Sequence, residues 1–291
     1  MNDLSFAALL DRSAQTGKSL PELARQQESA VSGLPPARLD AMMRARLTVM
    51  REAVARGIGE AVMSHSGIAG GDGHRLWQAA QSGGRLALGW AARAVATAIG
   101  TAEVNATMGR IVAAPTAGSC GVIPGVLLSA AEEFGSTDEG LVDALWVAGL
   151  CGQVIQTKLP LSGAQCGCQA ECGAASAMAA AALCHLAGGG AGASVEAVAI
   201  ALQNQLGLVC DPVAGLVEVP CIKRNAGAVA IALVAAEMAL SGVRSIIPAD
   251  EVVSAMRDVG RTMPAALRET GEGGLAATPT GRRLAGGLKS K

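Results

Sequence analysis

Eight cysteines are spread through the 291 residues, and three of them stand in surroundings unlike the rest. Cys168 lies in G-C-Q-A-E-C-G, Cys210 in L-G-L-V-C-D-P-V-A-G and Cys221 in V-E-V-P-C-I-K-R-N-A. Glycine lets backbones approach closely and proline fixes φ, so these thiols belong at the ends of elements and not inside packed helices. Asp211-Pro212 after Cys210 can open a helix. Pro220 directly precedes Cys221, and Lys223 and Arg224 follow it. Nearby cations favour thiolate over thiol, which metal binding requires. Three thiolates with no obvious fourth suit an iron–sulfur cluster with one iron left open.

The competing reading is packing, because cysteine often serves as a small buried hydrophobe. Cys151 and Cys184, each inside an apolar helical run, read that way. Cys120, in P-T-A-G-S-C-G, is a loop residue with no distinctive partner spacing. Cys166, Cys168 and Cys172 crowd together but lack the C-x-x-C pair or histidine of a zinc site. Two of these three could simply line a cavity around the other. His65, His74 and His185 are scattered and match no zinc spacing. On spacing alone, the trio at 168, 210 and 221 stands open between metal ligands and inert thiols.

The elements that must position these groups read as helices. From Pro36 to about Arg56 the apolar positions Leu39, Met43, Leu47, Met50 and Val54 step by three and four, as on an amphipathic helix. Shorter helices precede it, broken near Gly17 and at Gly33-Leu34-Pro35-Pro36. A glycine-rich link, Ser64 to His74, is of the kind that lines sites. Beyond it, Arg85–Ile99, Glu139–Lys158, Ala174–Ala187, Ser194–Leu206, Ala226–Ser241 and Asp250–Leu267 are Ala-rich and end near Gly, Pro or a polar cap. Asp250 is the expected N-cap of the last. No period-two alternation indicates a sheet. The expectation is an all-α fold: one helical catalytic domain over residues 1–270, with N-terminal helices 1–57 packed on it. Residues 271–291 read as a loop-like tail, disordered at its end.

Composition narrows the function. Hydrophobic residues make up 51% and charged residues 16%, with two Phe, three Trp and no Tyr, so the core must be aliphatic and closely packed. A net charge of −1 offers no field for nucleic acid or an anionic membrane. The longest apolar stretch, Ala226 to Val243, carries Glu237 between Arg224 and Arg244, which suits a buried helix better than a membrane span. The N-terminus lacks the basic and apolar regions of a signal peptide. A cytoplasmic setting is expected, where the thiols stay reduced.

Several segments together resemble the iron–sulfur-dependent L-serine dehydratases, specifically the separate alpha subunit of the two-chain form. They are S-G-I-A-G-G-D (66–72), E-V-N-A-T-M-G (103–109), P-T-A-G-S (115–119), S-G-A (162–164), G-C-Q-A-E (167–171), the block from Gly207 to Ala226, and L-R-E-T-G-E-G-G-L-A-A-T-P-T-G (267–281). The resemblance runs from about residue 40 to Gly281. It implies a [4Fe–4S] cluster on Cys168, Cys210 and Cys221, and a largely helical catalytic domain that works without pyridoxal phosphate. It also implies a separate beta subunit, and hence a hetero-oligomer, with serine and histidine groups supplied by that second chain.

The implied reaction is β-elimination of water from L-serine to pyruvate and ammonia, with the open iron acting as Lewis acid. Thr116, Ser119 and Asn225 are candidate hydrogen-bonding partners of the substrate, and Lys223 or Arg224 could pair with its carboxylate. His65 is a candidate base because imidazole titrates near neutrality. The base could equally lie in the beta chain. Two departures stand out: Lys158-Leu159-Pro160-Leu161 replaces the family's usual N-A-S-I before S-G-A. The tail G-L-K-S-K also lacks the terminal cysteine that can cap the open iron in single-chain relatives. The rivals are elimination from threonine or cysteine, a non-catalytic iron–sulfur redox protein, and a structural helical protein.

Overall fold

The computed structural model describes residues 4–289. Those residues form thirteen α-helices and no strand, joined by short helical turns. Isolated bridges, Met63 with Gly70 and Cys210 with Arg268, are the β-type pairings among them. The all-α expectation holds. No described helix is long and apolar enough to cross a membrane.

The chain opens with α1 (Phe6–Thr16), α2 (Leu20–Ser32) and α3 (Pro36–Gly59). Gly17 and Gly33 end the first two in the left-handed conformation, where the sequence signals placed the breaks. Arg25 of α2 fastens this layer, reaching Asp40 of α3 at 2.8 Å and Asp143 at 2.6 Å. Next come α4 (Asp72–Gln81), α5 (Trp90–Ala106), α6 (Val122–Phe134), α7 (Asp138–Lys158), the short α8 (Gly163–Cys166) and α9 (Ala174–Leu186). The order closes with α10 (Ala191–Gln203), α11 (Cys221–Leu240), α12 (Ala249–Thr262) and α13 (Pro279–Lys289).

At the centre lies α9, A-A-S-A-M-A-A-A-A-L-C-H-L, buried at every residue from Ala174 to Cys184. It is enclosed by α6, α7, α10 and α11. A helix apolar all round must be buried all round, and alanine both favours the helix and lets the neighbours approach. Ser176 donates to the Ala228 carbonyl at 2.9 Å, so α9 and α11 are tied in the dry interior. A second close approach joins α3 and α5, where a Cβ added to Gly100 would lie 2.7 Å from the Gly57 carbonyl carbon.

The structure departs from the sequence expectation at several elements. The helix expected over Arg85–Ile99 runs instead over Trp90–Ala106, and the one expected over Ala226–Ser241 begins at Cys221. The helix α4 begins inside the glycine-rich link, where no local residue caps it. Glu103 of α5 does so from a distance, accepting from Asp72 N–H at 2.8 Å and Gly73 N–H at 3.1 Å. The helix α6 has no counterpart among the expected helices; Pro124 sits in its first turn, where its missing N–H costs nothing. The expected helix to Leu267 stops at Thr262, because Pro264 excludes helical geometry at Met263.

The last departure is the tail: residues 271–291 are not loop-like throughout, since α13 starts at Pro279. Thr278 caps it, its hydroxyl accepting from Gly281 N–H at 3.1 Å. Residues 290–291, expected to be disordered, lie outside the described residues. Asp250 also differs from expectation. It sits within the first turn of α12, and its carboxylate caps α1 instead, accepting from Phe6 N–H at 3.2 Å and Ala7 N–H at 3.0 Å.

Candidate active site

Three separate segments carry Cys168, Cys210 and Cys221 to one buried region, and all three thiols stand at element ends. Cys168 precedes a single wide helical turn, Gln169–Gly173, that feeds α9. Cys210 lies in extended chain pinned to the 267–269 segment, its N–H donating to Leu267 O at 2.9 Å and its carbonyl accepting from Glu269 N–H at 2.7 Å. Cys221 is the first residue of α11. They are 3%, 3% and 8% exposed.

Burial and mutual charge set the thiol chemistry. Burial pushes Cys221 up to about 12, and Cys168 adds to the rise. Burial drives Cys210 higher still, with Cys168, Glu171, Glu269 and Cys221 all raising it. Cys168 goes the other way: the neighbouring Cys172 thiol, with the Arg224 cation, outweighs burial and lowers it. Cys210 thus feels both Cys168 and Cys221, and Cys221 feels Cys168, as members of one pocket do.

Arg224 is the cation of this region. Its guanidinium donates to Val209 O and to Asp211 Oδ1, both at 2.7 Å. Asp211 Oδ2 accepts from Leu275 N–H at 2.7 Å, so one buried carboxylate fastens α11 to the 267–281 segment. Lys223, by contrast, is directed outward and pairs with Asp72 at 3.1 Å.

The remaining cysteines separate. Cys172 lies against Cys168. Cys166 turns toward α12, where a Cβ on Gly260 would meet its sulfur at 2.9 Å. Cys120 is buried with Sγ 3.9 Å from Thr101 O. Cys151 and Cys184 are buried inside α7 and α9.

Above the thiols lies the P-T-A-G-S turn. Thr116 Oγ1 donates to Glu171 Oε1 at 2.7 Å, and Ser119 is fully buried 3.3 Å from the Thr116 hydroxyl. Asn225, expected at the substrate, has its amide engaged with the backbone. Its Nδ2 donates to Gly118 O at 2.8 Å and Cys221 O at 2.9 Å, and Oδ1 accepts from Gly121 N–H at 3.0 Å. It therefore holds the turn over α11. His65 is exposed, and its backbone N–H donates to Ala106 O at 3.0 Å. Next to it, Ser66 Oγ donates to Glu218 Oε2 at 2.5 Å, which ties the glycine-rich link to the segment just before Cys221.

Glu171 is the site residue that sequence reading passed over. Burial raises its pKa, Thr116 lowers it and Glu269 raises it. It stands in the quoted G-C-Q-A-E segment, and its spacing of three from Cys168 was the available signal. A Cβ on Gly163, of S-G-A, would lie 2.9 Å from Cys210 Sγ and would collide with Glu171 Oε2, so this glycine keeps the carboxylate and the thiol side by side.

Among the described residues no three His, Cys, Asp or Glu side chains close on one point as ligands of a single metal ion would. A four-iron cluster makes a different demand, since each cysteine binds its own iron. A soft, buried, all-sulfur donor set with a cation alongside fits such a cluster and does not fit a hard ion such as magnesium.

Comparison with known proteins agrees with these motifs. A family model described as serine dehydratase alpha chain matches residues 15–276. The probable L-serine dehydratase alpha chain of Bacillus subtilis is 54% identical over 238 residues, covering 82% of this chain and 79% of its own. The L-serine dehydratase alpha chain of Peptoniphilus asaccharolyticus is 40% identical over 276 residues, covering 95% and 94%. L-serine dehydratase 1 of Escherichia coli is 42% identical over 181 residues, which are 62% of this chain but 40% of that protein.

Proposed function

The chain belongs to the serine dehydratase alpha chain family, and from that premise we propose that it is the iron–sulfur subunit of an L-serine ammonia-lyase, independent of pyridoxal phosphate. The observation that carries the reading is the convergence of Cys168, Cys210 and Cys221, from three segments, beneath the Thr116–Glu171 pair. These cysteines would hold a [4Fe–4S] cluster, which when bound supplies a Lewis acid for the departing hydroxyl.

The reaction removes the α-proton and the β-hydroxyl of L-serine as water. The resulting aminoacrylate tautomerises to an imine, which water hydrolyses to pyruvate and ammonia. This chain's residues prepare the ground for it. Arg224 balances the negative charge of the thiolates, and Asp211 holds its guanidinium in place. Asn225 fixes the P-T-A-G-S turn, so the Thr116 hydroxyl is presented in one orientation. The buried wall keeps bulk water from the thiols and strengthens each polar contact.

The base is assigned to a second, beta chain. His65 is exposed, where an incoming chain would meet it. Relatives named plainly as L-serine dehydratases are matched over 40% of their length, and relatives matched over 79% and 94% of theirs are named alpha chains. The missing portion is proposed to be the separate subunit, giving a hetero-oligomer.

The test is anaerobic rebuilding of the chain with iron and sulfide, followed by assay of pyruvate from L-serine, L-threonine and L-cysteine with and without the beta chain. Activity on serine that requires both chains supports the proposal. A chain that stays colourless, or one fully active alone, overturns the cluster or the shared site respectively.

A further inference from the structure

Glu171 is a carboxylate without a counter-charge. Its one hydrogen bond runs from Thr116 Oγ1 at 2.7 Å, and no cationic side chain among the described residues acts on it. Two other carboxylates are better partnered: Asp211 pairs with Arg224 at 2.7 Å, and Glu103 accepts two backbone N–H groups, whereas Glu218, like Glu171, has a single hydroxyl donor, Ser66. Taking a carboxylate out of water without a partner is costly, and proteins retain one where something else completes it.

The surroundings of Glu171 show what it faces. A Cβ on Gly118 would lie 3.5 Å from Oε1, and a Cβ on Gly163 would collide with Oε2 and crowd Cys210 Sγ at 2.9 Å. Both oxygens therefore border glycine backbone, Oε2 on the side of Cys210, and the residue keeps part of its surface open to solvent, from which a small molecule reaches it. An α-amino acid is the small molecule whose cation would fit there. Its ammonium offers three N–H donors and one positive charge.

We infer that Glu171 recognises the α-ammonium group of the substrate, pairing with it beside the three thiols and so selecting amino acids over the corresponding hydroxy acids. This rests on the reading of the chain as an L-serine dehydratase subunit. It also orients the substrate, since the substrate's own carboxylate is repelled from Glu171. Glu218, buried and held by the Ser66 hydroxyl at 2.5 Å, likewise has no ion pair among the described residues and is the control carboxylate.

The experiment compares the rebuilt two-chain enzyme with its Glu171→Gln, Glu171→Asp and Glu218→Gln variants. It measures KM and kcat for L-serine, and inhibition constants for L-alanine and L-lactate, which differ only in ammonium against hydroxyl. Iron content and melting temperature are recorded for each variant.

Gln keeps the acceptor for Thr116 and removes the charge. With iron retained, Glu171→Gln should raise KM for serine and the alanine constant about tenfold or more, while the lactate constant moves less than about twofold. Glu171→Asp should recover part of the amino-acid preference. An equal loss for alanine and lactate, an unchanged serine KM, or a loss of preference in Glu218→Gln instead would overturn the assignment. A variant that sheds iron while Glu171→Asp restores iron but not preference would overturn it as well. Wild-type enzyme that neither binds nor dehydrates serine brings down the underlying function, a result distinct from any of these.

Discussion

Asn225 bolts the P-T-A-G-S turn to the start of α11: its Nδ2 donates to Gly118 O at 2.8 Å while its Oδ1 accepts from Gly121 N–H at 3.0 Å. The side chain is fully buried, so these partners have no water to fall back on. Asn225→Ala should cost about 2–3 kcal/mol in urea unfolding, with faster hydrogen exchange at Gly121. Asn225→Asp should be no better, because it sets a charged acceptor against two carbonyls. A midpoint within error of wild type for both would remove this role.

The cysteines should divide by position. After anaerobic rebuilding, Cys168→Ser, Cys210→Ser and Cys221→Ser should each lose most of their iron and the visible absorption of the cluster. Cys172→Ser should retain both, since Cys172 is not one of the three proposed ligands and serine is close to it in size. Cys184→Ala, remote in α9, should retain iron and lose only stability. Iron analysis and visible spectra decide each case, and equal iron in all five variants would sink the assignment.

The Asp211–Arg224 pair is buried, with side chains 4% and 16% exposed. Asp211→Ala leaves the guanidinium uncompensated and the Leu275 N–H without its acceptor. A loss of about 3–5 kcal/mol is expected in chemical unfolding, with protease cleavage appearing in the 267–281 segment. A double variant, Asp211→Ala with Arg224→Met, should recover part of that loss.

The docking of α1 should depend on acid pH. Burial raises the Asp250 carboxyl, but Lys158 with the N–H groups of Ala7 and Phe6 outweighs it, holding the pKa below its ordinary 3.8. A depressed carboxyl pKa contributes stability above the unfolded value, and that contribution disappears as pH falls through the folded value. Protection of α1 amides against hydrogen exchange should therefore be level at about pH 5 and fall below about pH 4. Asp250→Asn should cost about 1 kcal/mol near neutrality and flatten the pH dependence.

The departures from the sequence reading share one cause. Flanking glycines and prolines placed Cys168, Cys210 and Cys221 at element ends, and caps at Gly17 and Gly33 placed the first breaks. These are local effects, carried by residues a few positions apart. The α4 start was missed because its cap, Glu103, lies some thirty residues away in sequence. The site carboxylate Glu171 was missed because its importance lies in lacking a cation, which only the full set of neighbours reveals.

By itself the sequence determined the helical class, the aliphatic core and the three thiols that could hold iron, because propensity, composition and backbone restriction act over short range. Tertiary structure alone decided that Asn225 serves the backbone, that Lys223 turns to Asp72 while Arg224 stays with the thiols, and that Cys172 lies on Cys168 while Cys166 faces α12. The reason is that a polar side chain's role is set by which partners reach it once water is excluded, and those partners come from distant parts of the chain.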